Sequence, residues 1–128
     1  MMIILMNGNS FAKIITVDDD APADFTTIQS AIDSAINGDT IYVKAGIYRE
    51  TLIIELEKSI SIIGAGAEST FLLAQKNNFG DAAVYILADS VIIKGFTITG
   101  EESQQHDGIF LSVKNGIEIT DNKLMSSL

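Results

Sequence analysis

A pattern of large aliphatic residues recurs in the second half of the chain at a nearly constant interval. The segment VIIKGFTI, which begins at Val91, aligns with IEITDNKL, which begins at Ile117, 26 residues later. The runs VYIL at Val84 and IFLS at Ile109 repeat at an interval of 25 residues. A period of this length, with two or three short strands in each repeat, predicts a parallel β-solenoid whose coils lie about 4.8 Å apart.

After Gly38, short runs rich in Ile and Val alternate with Gly, Asn, Asp and Ser, which predicts strands separated by turns. The absence of helical patterns between these runs excludes alternating βαβ units. SISIIGAG extends the repeat to an earlier coil by placing Ile62 over Ile93, and Asn122 is predicted to hydrogen-bond across a corner between turns. An antiparallel sandwich is the alternative, which the hairpin-like KNGI at 114–117 favours. The sequence predicts an all-β, single-stranded solenoid.

One segment before the repeats has helical periodicity. Thr26 and Gln29 have the spacing of a capping box, and Asn37 with Gly38 supplies a left-handed stop. Apolar residues on one helical face lie between these signals: Ile28, Ala31, Ile32, Ala35 and Ile36. Because the end of a solenoid leaves backbone groups unpaired, this short amphipathic helix is predicted to cover the N-terminal end.

The two termini differ from the middle of the chain. Residues 1–12, MMIILMNGNSFA, resemble the rear part of a secretory signal, so an exported protein, secreted or at the cell surface, is expected; an ordinary edge strand is the alternative. No comparable cap follows DNKLMSSL. Residues 13–128 are therefore expected to be the N-terminal portion of a longer domain, truncated at the C-terminus, whose open last coil makes the isolated protein self-associate.

Composition excludes several classes of partner. The 128 residues carry a net charge of −9, which repels the phosphates of nucleic acids. There is no cysteine, which excludes disulfides, thiolate metal sites and cysteine nucleophiles. No apolar run approaches the roughly 18 residues that span a bilayer, so membrane insertion is not expected.

The segment DFTTIQSAIDSAINGDTIYVKAGIYRE resembles the N-terminal part of right-handed parallel β-helix proteins of the pectin methylesterase and pectate lyase-like group. SISIIGAGAESTFL and DSVIIKGFTITG are similar to the first coils of that group, and GIFLSVKNGIEITDNKL resembles the repeat shared with NosD-like surface proteins. The resemblance implies a right-handed parallel β-helix with a short N-terminal capping α-helix, and a polysaccharide as partner. The QDT, DFIFG and GRPW-like motifs that carry catalysis in the methylesterases do not occur in these residues.

Three polar groupings are candidates for chemistry. The family-like GxYxE element is Gly46, Tyr48 and Glu50, and it is predicted to be structural: a tight turn, a ring packed beneath the helix, and a hydrogen-bonding or ion-pairing carboxylate. The polar stretch TGEESQQHDG offers loop candidates for ligand binding: Glu101, His106 and Asp107. His106 is the only histidine, so no histidine-based metal cluster is expected.

The acidic run Asp18 to Asp20 lies between a strand and a turn. A solvated turn is the expectation for it, calcium binding is the alternative, and no other cofactor or metal is expected.

Two functions remain open at this point. The first is a non-catalytic β-helix segment with a scaffold, adhesion or glycan-binding role in an exported protein. The alternative is the N-terminal fragment of a carbohydrate-active enzyme, a pectinesterase or polysaccharide lyase, without its active-site coils. Both functions use the same fold, so the fold cannot distinguish them.

Overall fold

Short strands dominate the chain, and one helix precedes most of them. A computed structural model describes residues 12–75, 82–100, 107–112 and 115–125. The elements are β1 (Ile14–Val17), α1 (Ile28–Ser34), β2 (Thr40–Val43), β3 (Gly46–Tyr48), β4 (Leu52–Ile54), β5 (Ser61–Gly64), β6 (Thr70–Ala74), β7 (Ala82–Ile86), β8 (Ile92–Lys94), β9 (Thr97–Gly100), β10 (Asp107–Leu111), β11 (Glu118–Thr120) and β12 (Lys123–Met125).

The strands form three sheets that run along the length of the molecule. The five-stranded sheet has the order β1-β2-β5-β8-β11, the four-stranded sheet β12-β9-β6-β3, and the three-stranded sheet β10-β7-β4. Every strand pairing among the described residues is parallel. From β2 onward, each strand belongs to a different sheet from the strand before it. Parallel pairing with this rotation through three sheets is the topology of a right-handed parallel β-helix and not of an antiparallel sandwich.

The register confirms the repeat that the sequence predicted. Ile93 lies beside Ile119 and Val84 beside Ile109, at the predicted intervals. Ile62 lies beside Ile93, also as predicted. β2 pairs with β5 through Tyr42 and Ile63, and the interval between these two residues is shorter than the intervals between the later paired strands. The coils therefore differ in length, and the loops between the strands differ accordingly.

Two of the predicted strands are each divided by a corner. VIIKGFTI bends at Gly95, where φ is 86°, and IEITDNKL bends at Asp121, where φ is 55°. Asn122 then hydrogen-bonds to the preceding coil, as predicted: its Oδ1 accepts from the Phe96 N–H at 3.0 Å, and its Nδ2 donates to the Ile93 carbonyl at 2.9 Å. This side chain holds two successive corners in line.

The core is a column of aliphatic side chains that point inward from each coil. Its largest fully buried members are Phe96, Ile28, Ile32, Ile41, Leu52, Ile54, Ile60, Ile62, Leu72, Ile86, Ile93 and Ile98. Burial of such side chains contributes roughly 1.5–3 kcal/mol each. The stacking of coils is therefore the main source of stability.

The helix covers the N-terminal end of this column, but its details differ from the prediction. The N-cap is Thr27, whose hydroxyl accepts from the Ser30 N–H, so the predicted box of Thr26 with Gln29 does not form. Ile36 is 39% exposed and is not part of the buried stripe. The regular helix ends at Ser34 and Ala35 is extended, so Ile36 lies beyond the helix, where the helical spacing no longer applies.

A buried carboxylate fixes the chain just after the helix. Asp39 is 1% exposed and accepts from the Ile36 N–H at 3.0 Å, the Lys13 N–H at 3.1 Å and Lys13 Nζ at 3.2 Å. Burial disfavours its charged form, but the hydrogen bonds from Ile36 and Lys13, with the charge of Lys13, outweigh that effect and lower the pKa of Asp39. The carboxylate therefore joins the start of β1 to the end of the helical segment.

Candidate functional site

Gly46 of the GxYxE element begins β3 and does not form the predicted tight turn. Its φ is not positive, and what it provides is space, because a Cβ at this position would lie 2.5 Å from Asp19 Oδ1. A side chain here would displace the Asp19 carboxylate. The glycine is therefore explained by the close approach of the aspartate turn.

Tyr48 is 2% exposed and belongs to the core cluster. Its hydroxyl donates to the Lys44 carbonyl at 2.8 Å. Burial raises the pKa of Tyr48 to about 12, and the nearby Asp19 and Asp18 carboxylates act in the same direction. The phenol is therefore neutral at ordinary pH and serves as a hydrogen-bond donor within the fold.

Glu50 binds the N-terminus of α1. Its two carboxylate oxygens accept from the Ile28 N–H at 2.8 Å and the Gln29 N–H at 2.9 Å. At the other end of the helix, Lys58 Nζ donates to the Ile32 and Asp33 carbonyls, both at 2.8 Å. An anion at the N-terminus and a cation at the C-terminus both match the helix dipole, so Glu50 is engaged in holding the helix.

The aspartate turn, Asp18 to Asp20, places three carboxylates within 4.8 Å of one another. Asp18 Oδ1 accepts from the Asp20 N–H at 3.3 Å, and Asp19 Oδ2 accepts from the Ile47 N–H at 3.2 Å. Hydrogen bonding with Asp18 and the charges of Asp19 and Asp18 raise the pKa of Asp20. The aspartate turn is thus hydrogen-bonded to β3. Its carboxylate oxygens are ligands of the kind that calcium prefers, and calcium binding stays a prediction.

A second grouping lies on the outer face of the three-stranded sheet. Ile53 of β4, Tyr85 of β7 and Phe110 of β10 are in register on successive coils. The rings of Tyr85 and Phe110 have centroids 5.7 Å apart at 47°, and Phe110 is 49% exposed. These three residues form what is called here the aromatic ladder. The repeat interval that pairs Val84 with Ile109 also pairs Tyr85 with Phe110, so the signal for this contact is present in the sequence.

The predicted loop residues are only partly within the described structure. Glu101 and His106 lie outside the described residues. Asp107 begins β10, and its backbone is in register with Ala82 on β7. The three-stranded sheet therefore receives the chain directly after this polar stretch. Across the described residues, no helix is long and apolar enough to cross a membrane.

Comparisons with known proteins agree with this architecture. The family model described as Pectinesterase matches residues 14–120. Probable pectinesterase 55 of Arabidopsis thaliana is 37% identical over an alignment of 106 residues, and the match covers 73% of this chain and 31% of that protein. Probable pectinesterase/pectinesterase inhibitor 6 of the same plant is 30% identical over an alignment of 119 residues, and the match covers 80% of this chain and 22% of that protein.

Among solved structures, a pectin methylesterase in complex with a hexasaccharide is similar, with a TM-score of 0.59 and 15% identity, over 76% of this chain and 45% of that one. This likeness shows the fold. The chain spans less than a third of the length of the two plant relatives. Since the family model covers most of the sequence and the parallel β-helix is the fold of the solved relative, this chain belongs to the pectinesterase family.

Proposed function

We propose that this chain is the N-terminal part of a pectinesterase-type carbohydrate-active protein and that its aromatic ladder contacts the polysaccharide. The observation that carries the proposal is the half-exposed ring of Phe110 at the end of the ladder, which packs on Tyr85, itself only 9% exposed. The solved pectin methylesterase with a bound hexasaccharide supports a sugar polymer as the ligand class.

The ladder has the properties of a surface for sugar rings. The half-exposed ring of Phe110 is held in place by its contact with Tyr85, whose hydroxyl in turn accepts from the Ala82 N–H at 3.1 Å. Rigid aromatic rings supply contact area with little loss of conformational freedom, and a sugar ring offers an apolar face to them. Phe110 is therefore the residue expected to carry most of the affinity.

The charge of the chain favours one form of the polymer. A net charge of −9 repels an anionic polyuronate but not a chain whose carboxylates are methyl-esterified. The proposed ligand is thus highly methyl-esterified pectin.

Turnover is not part of the proposal for this chain. The sequence lacks the QDT, DFIFG and GRPW-like motifs, and Gly46, Tyr48 and Glu50 are engaged within the fold. Non-catalytic scaffold or adhesion roles remain the competing interpretation, and family membership favours the carbohydrate-active one. Export is also proposed, on the resemblance of residues 1–12 to a secretory signal.

Affinity electrophoresis in gels containing pectin of high or low methyl-esterification tests the binding. Phe110→Ala should weaken binding to highly esterified pectin by about tenfold, the scale of one aromatic contact. The matched control is Leu56→Ala, which removes another exposed apolar side chain, 65% exposed, that lies outside the ladder beside Ala35 and Ile36. Equal retardation of the two variants would contradict the assignment.

A methanol-release assay on the same pectin, with a lyase assay on pectate, tests the second part. Rates equal to a buffer blank are expected. Turnover above the blank that persists in a repurified sample would place reacting groups within these residues.

A further inference from the structure

The three sheets all end at the N-terminal end of the β-helix, where their edge strands are β1, β4 and β3. The edge strand of a sheet presents backbone N–H and C=O groups with no strand to receive them, and such an edge can pair with another chain. In a parallel ladder, alternate residues bond to opposite neighbours. The outward-facing residues, one on each of the three-residue strands β3 and β4 and two, Ile14 and Thr16, on β1, therefore decide whether a further strand can be added.

On β1 the outward residue nearer the aspartate turn is Thr16. Its N–H donates to Asp24 Oδ2 at 2.9 Å, and its hydroxyl donates to the same oxygen at 3.1 Å. Its carbonyl accepts from the Phe25 N–H at 3.1 Å. Both backbone groups of Thr16 are thus occupied by the segment that follows the aspartate turn.

On β3 the outward residue is Ile47, since the neighbouring Gly46 N–H donates inward to the Ser69 carbonyl at 2.9 Å. The Ile47 N–H donates to Asp19 Oδ2 at 3.2 Å. The outward donor of this strand therefore also has a carboxylate acceptor.

On β4 the outward residue is Ile53, since the Ile54 carbonyl accepts from Leu87 of the next coil. The amide of Gln29 bonds both of its backbone groups: Oε1 accepts from the Ile53 N–H at 2.9 Å, and Nε2 donates to the Ile53 carbonyl at 3.0 Å. An amide side chain here reproduces the pair of hydrogen bonds that a neighbouring strand would make.

We infer that Asp19, Asp24 and Gln29 together close the N-terminal end of the β-helix to strand addition, with one side chain on each sheet. All three lie in the segment that crosses this end before and at the start of α1. A strand added at any one of the three edges would have to displace the side chain that bonds there. The helix covers the core, and these side chains cover the hydrogen-bonding rim around it.

The opposite end differs. β10, β11 and β12 are the outer strands there, and between residues that the structure describes no side chain bonds to their outward backbone groups. The molecule therefore has a closed end and an end that lacks this closure within the described residues.

The test compares a variant lacking the three caps with a control of equal charge. The variant combines Asp19→Ala, Asp24→Ala and Gln29→Ala. The control combines Asp20→Ala and Glu55→Ala, two exposed carboxylates that accept from no edge strand. At equal concentration, light scattering after size-exclusion chromatography should show a weight-average mass at least about twofold higher for the variant, since a second end becomes available.

Amide hydrogen exchange by NMR gives a direct readout. In the wild-type chain, the N–H groups of Thr16, Ile47 and Ile53 should be protected, and each should lose protection when its own cap is removed. Asp19→Asn and Asp24→Asn each keep an acceptor oxygen. These variants should therefore keep the edge-strand amides protected, and their weight-average mass should equal that of the control.

Two results would overturn the inference: unprotected amides at these positions in the wild type, or a folded cap variant with the mass distribution of the control. Circular dichroism establishes folding. If the triple variant is unfolded, Gln29→Ala alone, which frees both groups of Ile53, is judged by the same two criteria.

Discussion

The side chain of Glu50 joins the end of a coil to the N-terminus of the helix. The sequence predicted a hydrogen bond or an ion pair for it at the end of a coil, and the structure gives the partners as two N–H groups of the helix. These partners are 22 and 21 residues earlier in the chain. The seven-residue helix is too short to be stable alone, so such contacts must hold it in place.

Replacing Glu50 with Ala should therefore destabilise the protein. Two helix N–H groups would lose a charged acceptor, and hydrogen bonds to charged groups contribute about 1.5–3 kcal/mol. Urea unfolding followed by circular dichroism measures the loss. Glu50→Gln, which keeps one acceptor oxygen, should lose less, and Glu55→Ala, at an exposed position, should change stability by less than about 0.5 kcal/mol. A Glu50→Ala midpoint equal to that of Glu55→Ala would contradict this role.

The corners of the β-helix, as well as its strands, set the spacing between successive coils. Gly64 at the end of β5 and Gly95 in the next coil approach each other so closely that a Cβ on Gly64 would lie 2.3 Å from the Gly95 carbonyl oxygen. The reverse contact, from a Cβ on Gly95 to the Gly64 oxygen, would be 2.4 Å. The alignment that places Ile62 over Ile93 also places Gly64 over Gly95, but only the stacked structure shows that each glycine leaves room for the backbone of the other.

Gly64→Ala should accordingly force two coils apart. Backbone atoms cannot move aside as a side chain can, so a loss of about 1–3 kcal/mol is expected, the range for overpacking. The comparison is Gly108→Ala, whose Cβ would meet only the end of the Leu124 side chain, at 3.2 Å. Thermal unfolding of both variants measures the difference. The explanation fails if Gly108→Ala is the more destabilised of the two.

At the scale of the whole molecule, the last coil exposes apolar side chains that earlier coils bury. Leu111 and Leu124 are 45% and 55% exposed. Their counterparts one coil earlier, Ile86 and Ile98, belong to the core and are 0% and 1% exposed. The same positions in the repeat thus differ in exposure because of their place in the stack.

The isolated 128-residue chain is therefore expected to self-associate through this coil. Leu124→Glu should reduce the association, because it places a charge on the surface that a partner would cover. Size-exclusion chromatography with light scattering over a range of concentrations measures it, with Leu56→Glu, at an exposed position near the helix, as control. A wild-type protein that stays monomeric throughout would contradict the prediction.

The repeat interval and the helical stripe were sufficient to predict the parallel β-helix and its N-terminal cap. Both depend on which residues recur at fixed spacing, and burial acts on that pattern however long the connecting loops are. For the same reason the sequence predicted the pairing of Ile93 with Ile119 and the corner bonds of Asn122. It also placed Glu50 at the end of a coil.

The tertiary structure alone decided which polar groups meet. Asp19 accepts from a residue 28 positions away and Gln29 from one 24 positions away, and no local pattern specifies such partners. The assignment of Gln29 to a capping box failed because its amide bonds β4 instead, where two otherwise unpaired backbone groups compete for it. Side-chain hydrogen bonds depend on positions in space, and the stacking of coils sets those positions.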